Sequence, residues 1–429
     1  MEFFLDWAWN RVASIKQRAD KETLLLFDHS CLEVPDTIRM TLVLQCRQLQ
    51  HLKILFEEAK NLWQRHGALE VVENKCSIIR LVKLYTEAIL WFLNCGLLPE
   101  KTSARFQDLF PARQLENLYS SKRGKWELKF KEWLKRNHFP AEDLKHVGLL
   151  IDGLCKQLGT RLMANFERDG GNGLFPPPNL HALLSCYLIQ NQDCSDLIVH
   201  RIVQYLFLDM ASCLSKKETQ SDEEIGIVEN LIKYPSAFSV PPSFIKLTQA
   251  YWLLDNEDFD EAVAMLLDPL VHTSDISEDE HRSVMIGLLT QGHPKLALKY
   301  SNVRKPPQRK SVDIQLHISI LLANGMVNEA FQLMRLKRSQ GGCEELFHFF
   351  LVNAEKLDKL GLILQLNLTM QEDKYLITFL KRSAVQSSQE ILLEYFLQRA
   401  RYREALDLNE QLKNMYSRGG QARQAIVDR

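Results

Sequence analysis

The residues best suited to chemistry in this sequence are basic. Lys122, Arg123, Lys125, Lys129, Lys131, Lys135 and Arg136 are set against only Glu127 and Glu132, and they interleave with Trp126, Phe130, Trp133 and Leu134. The three aromatics fall at spacings of four and three, so they share one helical face and leave the lysines on the others. Two kinds of chemistry fit. The aromatics can dock an amphipathic helix on a core, or the cations can meet phosphates or an acidic partner. A second cluster, Arg304, Lys305, Arg309 and Lys310, surrounds Pro306-Pro307. It reads as an exposed basic loop first and a nucleic-acid contact second, and it lacks the R-G-R-P order of a minor-groove hook.

Other chemistry is thin. The sequence contains no G-x-S-x-G, no H-E-x-x-H and no G-x-x-x-x-G-K-[ST]. Gly170, Gly171 and Gly173 follow no strand that would aim them at a phosphate, so they read as a connector. Twelve histidines are dispersed, and no pair four apart on one helix has a third candidate ligand beside it. Asp255, Glu257, Asp258, Asp260 and Glu261 lack the ligand order and central glycine of an EF-hand. Capping and solvation account for these acids. No catalytic residue, cofactor, metal or small-molecule substrate is expected, and the chain reads as a non-enzyme.

The elements that would carry these residues are helices. Phe244, Leu247, Tyr251 and Leu254 recur along one helical face after Pro241-Pro242, with Trp252 beside them. Asn256-Glu257 breaks the pattern. Asp258 and Glu261 are spaced as a capping box for a second helix bearing Phe259, Ala262, Val263 and Leu266, which Pro269 ends. This is an αα-hairpin, with the small Ala262 where the backbones cross. The plan recurs with Ala297, Ala330 and Ala405 in the place of Ala262. Leu254, Leu289, Leu322 and Leu397 stand eight residues before the four alanines. The gap between Ala330 and Ala405 leaves room for one degenerate unit around 347–368. Such periods mark stacked helical hairpins.

Upstream, 2–26 reads as a helix, and 36–66 as a long one in which Leu42, Leu49, Phe56 and Trp63 repeat every seven residues. That stripe predicts a helix lying across a core rather than a coiled coil with a partner. Residues 75–95 are apolar nearly all round and should be central. A further helix is expected from Pro140 to about Arg168. The sequence thus predicts an all-α fold, an α-helical solenoid of stacked hairpins with an N-terminal helical block. Its expected divisions are the block at 1–168, a Gly/Pro-rich loop at 169–179, repeats at 180–416 and a disordered tail at 417–429.

Composition agrees with that class. Of 429 residues 46% are hydrophobic and 25% charged, the net charge is −1, and nothing pulls the whole chain toward nucleic acid or anionic lipid. Nine scattered cysteines without a C-x-x-C read as reduced thiols, most of them buried. No signal peptide or membrane span is evident, the greasiest run, 78–93, being interrupted by Arg80, Lys83 and Glu87. An amphipathic helix starting at once after Met1 reads as the interior of a longer chain.

The stretch KYPSAFSVPPSFIKLTQAYWLLDNEDFDEAVAMLLDP, residues 233–269, resembles the central helical domain of the ELYS family of nuclear pore assembly proteins. The lead-in FFLDWAWNRVASIKQRADKETLLLFDHSC and the loop FPPPNLHALLSCYL fit the same family, so the resemblance runs over about 2–415. It implies a helical solenoid and a scaffold that helps dock the outer-ring Y-shaped subcomplex during pore assembly. It also implies a place at the nuclear envelope, the pore, and mitotic chromatin or kinetochores. Chromatin contact would come through regions absent from this chain, and no RING cysteine spacing implies ubiquitin ligation. The alternatives from the residues themselves are a nucleic-acid-binding helical module acting through the basic surfaces, or a vesicle-coat or adaptor solenoid.

Overall fold

The computed structural model describes residues 2–27, 36–63, 69–99, 110–137, 139, 144, 147–189, 196–215, 222–336, 343–383 and 386–412. Among these every regular element is helical. The chain divides into two compact units: 1–128 with 146–284, and 129–145 with 285–429.

The first unit opens with three long helices, α1 (Glu2–Phe27), α2 (Asp36–Trp63) and α3 (Leu69–Asn94). Ala8, Val12 and Ile15 of α1, Leu49, Leu52 and Phe56 of α2, and Val72, Ile79 and Val82 of α3 form one buried cluster. Three positions of the heptad stripe of α2, Leu42, Leu49 and Phe56, are fully covered and face the interior, while the Trp63 side chain lies outside the described residues. Helix α4 (Ala112–Asn137) carries residues of both units. Two short helices follow, α5 (Leu150–Gln157) and α6 (Thr160–Arg168), where one continuous helix was expected. The break is Gly159, at φ 82°, a backbone state that glycine adopts without strain.

Residues 169–179 have no regular structure, as their glycines and prolines require. They are more than a connector, however, because Phe175, Pro176 and Pro177 are buried. The Phe175 ring sits edge-on to Tyr119 and Tyr205, with centroids 4.9 and 5.4 Å away. Then come α7 (Leu180–Ser185) with a 3-10 turn at Cys186–Leu188, α8 (Asp196–Ser215), α9 (Asp222–Ala237), α10 (Pro242–Asp255) and α11 (Phe259–Leu266). Helix α8 is the unit's most enclosed element: Ile202, Val203, Tyr205, Leu206 and Met210 are completely covered, and α5, α9 and α10 pack on it. By length and composition it alone among the described helices would suffice to cross a membrane, yet here two-thirds of its apolar stretch is buried inside the protein.

Helix α12 (Glu278–Thr290) carries residues of both units, and the second unit continues with α13 (Pro294–Arg304), α14 (Ser311–Ala323), α15 (Val327–Leu336), α16 (Cys343–Lys356), α17 (Leu360–Ile363), α18 (Met370–Arg382), α19 (Gln386–Gln398) and a helix over 402–412. The repeated hairpin is visible in the backbone. Glu257, Gly292, Gly325, Asp358 and Ala400 all have positive φ. Each closes a Schellman turn, in which the amide of the next residue donates to a carbonyl five residues back at 2.8–2.9 Å. The left-handed residue precedes Ala262, Ala297, Ala330 and Ala405 by five positions in each case, and all four alanines are buried. Asp358 supplies the degenerate unit, with Ile363 in the alanine's place.

Two details differ from expectation. Asp258 is the N-cap of α11 but its side chain makes no cap hydrogen bond. Its ψ of 70°, imposed by the Schellman turn before it, leaves the carboxylate badly placed for the first amides. In the last hairpin Leu397 and Leu406 are exposed, although Ala405 is buried.

The five turns yield a matched test. Gly325→Ala would place a Cβ with only the Lys359 Nζ near it, at 3.9 Å, so its cost is conformational, about 1 kcal/mol. Glu257→Gly, at φ 68°, should gain up to about 1 kcal/mol. Urea unfolding midpoints moving in opposite directions would bear this out, and parallel shifts would refute it.

Candidate interaction surfaces

The basic residues of α4 fall into two groups. Lys122 and Arg123 are turned into the first unit. Lys122 Nζ donates to Asn256 Oδ1 at 2.9 Å and lies 4.5 Å from the Tyr119 ring centre. Arg123 donates through Nε and Nη2 to both oxygens of Asp152, at 2.8 and 2.7 Å, and through Nη2 to the Phe175 carbonyl at 2.5 Å. Burial opposes its charge, but the Asp152 pair outweighs it and holds the guanidinium pKa above its ordinary value. These two residues therefore brace α4 against α5, α10 and the buried proline loop.

Lys125, Lys129, Lys131 and Lys135 are exposed. Lys129 Nζ donates to Gln291 Oε1 at 2.5 Å, and Arg136 pairs with Glu132 at 3.6 Å. On the opposite face Trp133 is buried and stacks on Phe139, which meets Phe349 edge-on, with centroid separations of 4.9 and 5.1 Å. The aromatics dock this helix end, as their spacing predicts. In the second cluster Lys305, Arg309 and Lys310 are exposed, Arg304 is half-buried and Pro306 is buried. Lys305, at φ 49°, ends α13, and the Lys310 amide donates to Asp313 Oδ2 at 3.1 Å.

The densest polar chemistry lies inside the first unit. Asp255 accepts from the backbone amides of Leu150 and Ile151, at 2.9 and 3.1 Å, and from the Tyr205 hydroxyl at 2.8 Å. Asp209 accepts from the Tyr119 hydroxyl at 2.7 Å and the Trp252 indole N–H at 2.8 Å. Burial pushes the Asp255 carboxyl up to about 6, against the pull of its three donors. Asp255 is thus no solvated turn acid. It lies four residues after Tyr251 and eight after Leu247, both fully buried, and that spacing was the signal for it. The half-buried Trp252 is fixed by its hydrogen bond as much as by packing. Trp252→Phe should therefore cost about 1–2 kcal/mol, read as a lowered Tm, by leaving Asp209 Oδ1 one donor short. An unchanged Tm would show that the bond contributes nothing.

No group of three or more His, Cys, Asp or Glu suited to a metal occurs among the described residues. Among the six described cysteines, Cys155 and Cys186 are buried, whereas Cys46, Cys76, Cys95 and Cys213 are half-buried; Cys31, Cys194 and the Cys343 side chain lie outside the described residues. Burial raises Cys46 to about 12 and Cys95 to about 11, so both are thiols at neutral pH.

Hairpins repeated on one Schellman plan, with polar ties inside the packing and cations on the exposed faces, define an all-α hairpin-repeat protein. The family model ELYS, described as nuclear pore complex assembly, matches residues 148–383. Protein ELYS of Xenopus laevis is 34% identical over 453 aligned residues, covering 100% of this chain and 17% of the relative. Protein ELYS of Homo sapiens is 32% identical, covering 96% of this chain and 18% of the relative. With the model matched over more than half its length, the chain belongs to the ELYS family. It spans less than a fifth of these curated relatives.

Proposed function

We propose that this chain is a structural scaffold segment of a nuclear pore component, acting by protein–protein contact and not by catalysis. The family match over residues 148–383 carries the reading. Its place is the nucleus, at the nuclear envelope and pore complex, with mitotic chromatin or kinetochores as further sites. Its partners are other nucleoporins, in particular those of the outer-ring Y-shaped subcomplex. Chromatin is reached through regions outside this chain. Hairpin repeats suit the role because they present long surfaces in place of one convergent pocket. Solvent-facing apolar residues such as Phe3, Trp7, Met40 and Leu44 give it anchors to offer.

Affinity capture of the chain from nuclear extract at physiological salt, followed by mass spectrometry, tests this. Outer-ring nucleoporins among the retained proteins are the expected result. Their absence from the retained material would overturn the outer-ring assignment. Capture of nucleosomes alone, lost at higher salt and abolished when Lys125, Lys129, Lys131 and Lys135 are changed together to Gln, would move the reading to a nucleic-acid-binding module.

A further inference from the structure

One concave site belongs to none of the surfaces above. A groove of about 330 Å³ is lined by Arg161, Ala164, Asn165 and Arg168 on one side and by Ser185, Leu188 and Ile189 on the other. The first four stand at i, i+3, i+4 and i+7 on α6, a single helical face. The last three close the 180–188 helical segment. All lie in the first unit, within the stretch that the family model matches.

The charge of this groove is one-sided. Its lining holds two guanidinium groups and no carboxylate. Arg161 is exposed. The Arg168 side chain is 61% exposed, and its Nε donates to Asp169 Oδ1 at 3.2 Å. Asp169 Oδ2 in turn pairs with His181 Nδ1 at 2.8 Å, which anchors that carboxylate and with it one edge of Arg168. Leu188 is half-buried and Ile189 is 8% exposed, giving an apolar floor beside the cations.

We infer that this groove docks a short acidic segment of a partner protein, with two carboxylates on Arg161 and Arg168 and an apolar side chain on Leu188 and Ile189. The helix sets the spacing. Seven residues at a 1.5 Å rise put the two arginines about 10 Å apart along the axis. A peptide in the polyproline II conformation has three residues per turn and a rise of about 3.1 Å, so carboxylates three positions apart share one face about 9 Å apart and match that interval. The apolar floor favours a peptide over nucleic acid, whose sugar-phosphate edge has no side chain to bury there. The inference goes beyond the scaffold reading and does not depend on it, since it concerns a binding event measurable with the isolated chain.

The test is a fluorescence-anisotropy titration of the whole chain with a labelled ten-residue peptide carrying Glu-Leu-Ser-Glu at its centre. Binding should weaken about tenfold in Arg161→Gln/Arg168→Gln, and by a similar factor when both glutamates of the peptide become glutamine. Ala164→Glu, at an exposed position, should abolish binding by placing a carboxylate between the arginines. Moving the two glutamates to adjacent positions should also weaken it. All these groove variants alter exposed side chains, so an unchanged Tm is the control for folding. Wild-type chain that fails to bind, or binding unaltered in both groove variants, would overturn the inference. So would a single-stranded oligonucleotide that competes at this groove and outbinds the peptide.

Discussion

Asp255→Ala is expected to destabilise the first unit by about 3–5 kcal/mol, enough to unfold much of it at 37 °C. Asp255 is buried, and its carboxylate is the shared acceptor of two backbone amides and one phenol. Alanine would leave the Leu150 and Ile151 amides, the first turn of α5, buried without a partner. It would also strand the Tyr205 hydroxyl and open a small void. Asp255→Asn separates charge from shape. Its Oδ1 can still accept, but its amide nitrogen would meet a donor where an acceptor is needed, so a cost of about 1–2 kcal/mol is expected at neutral pH.

The pH dependence of the Asp255→Asn difference carries a definite sign. The carboxyl rises from an ordinary 3.8 to about 6 on folding, so the native state holds its proton more tightly than the unfolded chain. Its contribution is therefore fully present below pH 3.8, declines as pH rises toward 6, and is constant above that. Wild type should exceed Asp255→Asn by more at pH 4.5 than at pH 7.5. The opposite trend in urea midpoints would mean that the three donors, at the amino end of α5, outweigh burial. Glu372 runs the other way. Burial favours its neutral form, but the Arg335 guanidinium and the Thr369 amide prevail and lower its pKa. The stability it contributes is present above its ordinary 4.5 and lost as pH falls through its lowered folded value.

The legible parts of the fold were those governed by local spacing. The leucine eight residues before each alanine marks the carbonyl that accepts the second Schellman bond, from the left-handed residue three positions on. A repeat visible in side chains was thus a backbone repeat as well. Glycine would have located only two of the five turns, Gly292 and Gly325, because Glu257, Asp358 and Ala400 take the same left-handed state. The 347–368 unit was placed by length alone, and Asp358 explains why its pattern is faint. What could not be read was long-range pairing. Nothing local distinguishes Arg123, which reaches Asp152 across twenty-nine positions, from the exposed Lys125 two residues on. The basic stretch of α4 is therefore part brace and part surface. Likewise the prolines at 176–178 announce a loop, and only the three-dimensional packing shows Phe175 buried against Tyr119 and Tyr205.

Glu280→Ala is the second substitution with a large expected effect, again about 3–5 kcal/mol. Glu280 does two things at once. With Ser277 it forms a reciprocal capping box at the start of α12, at 2.9 and 3.2 Å. Its Oε1 also takes Arg201 Nη1 at 3.0 Å, inside the unit, where the Arg201 side chain is only 3% exposed. Arg201 is flanked by the Tyr251 and Phe244 rings, 4.9 and 5.8 Å from its central carbon, and its Nε and Nη2 have no protein acceptor. Alanine would remove the cap and leave a buried guanidinium with ring faces alone for compensation. Glu372 repeats this device in the second unit, capping α18 with Thr369 while holding Arg335. Glu280→Gln keeps the cap geometry and removes only the charge, so it should fall between wild type and alanine. Because the ion pair is already short of hydrogen bonds, Arg201→Met/Glu280→Gln should recover most of the loss. Thermal unfolding of the three variants decides the matter. If the double variant, which keeps the cap, is as unstable as Glu280→Ala, neither the cap nor a stranded charge explains the loss, and the Arg201–Glu280 pair itself stabilises the unit. Full recovery would show that the buried pair orders α8 against α12 without adding net stability.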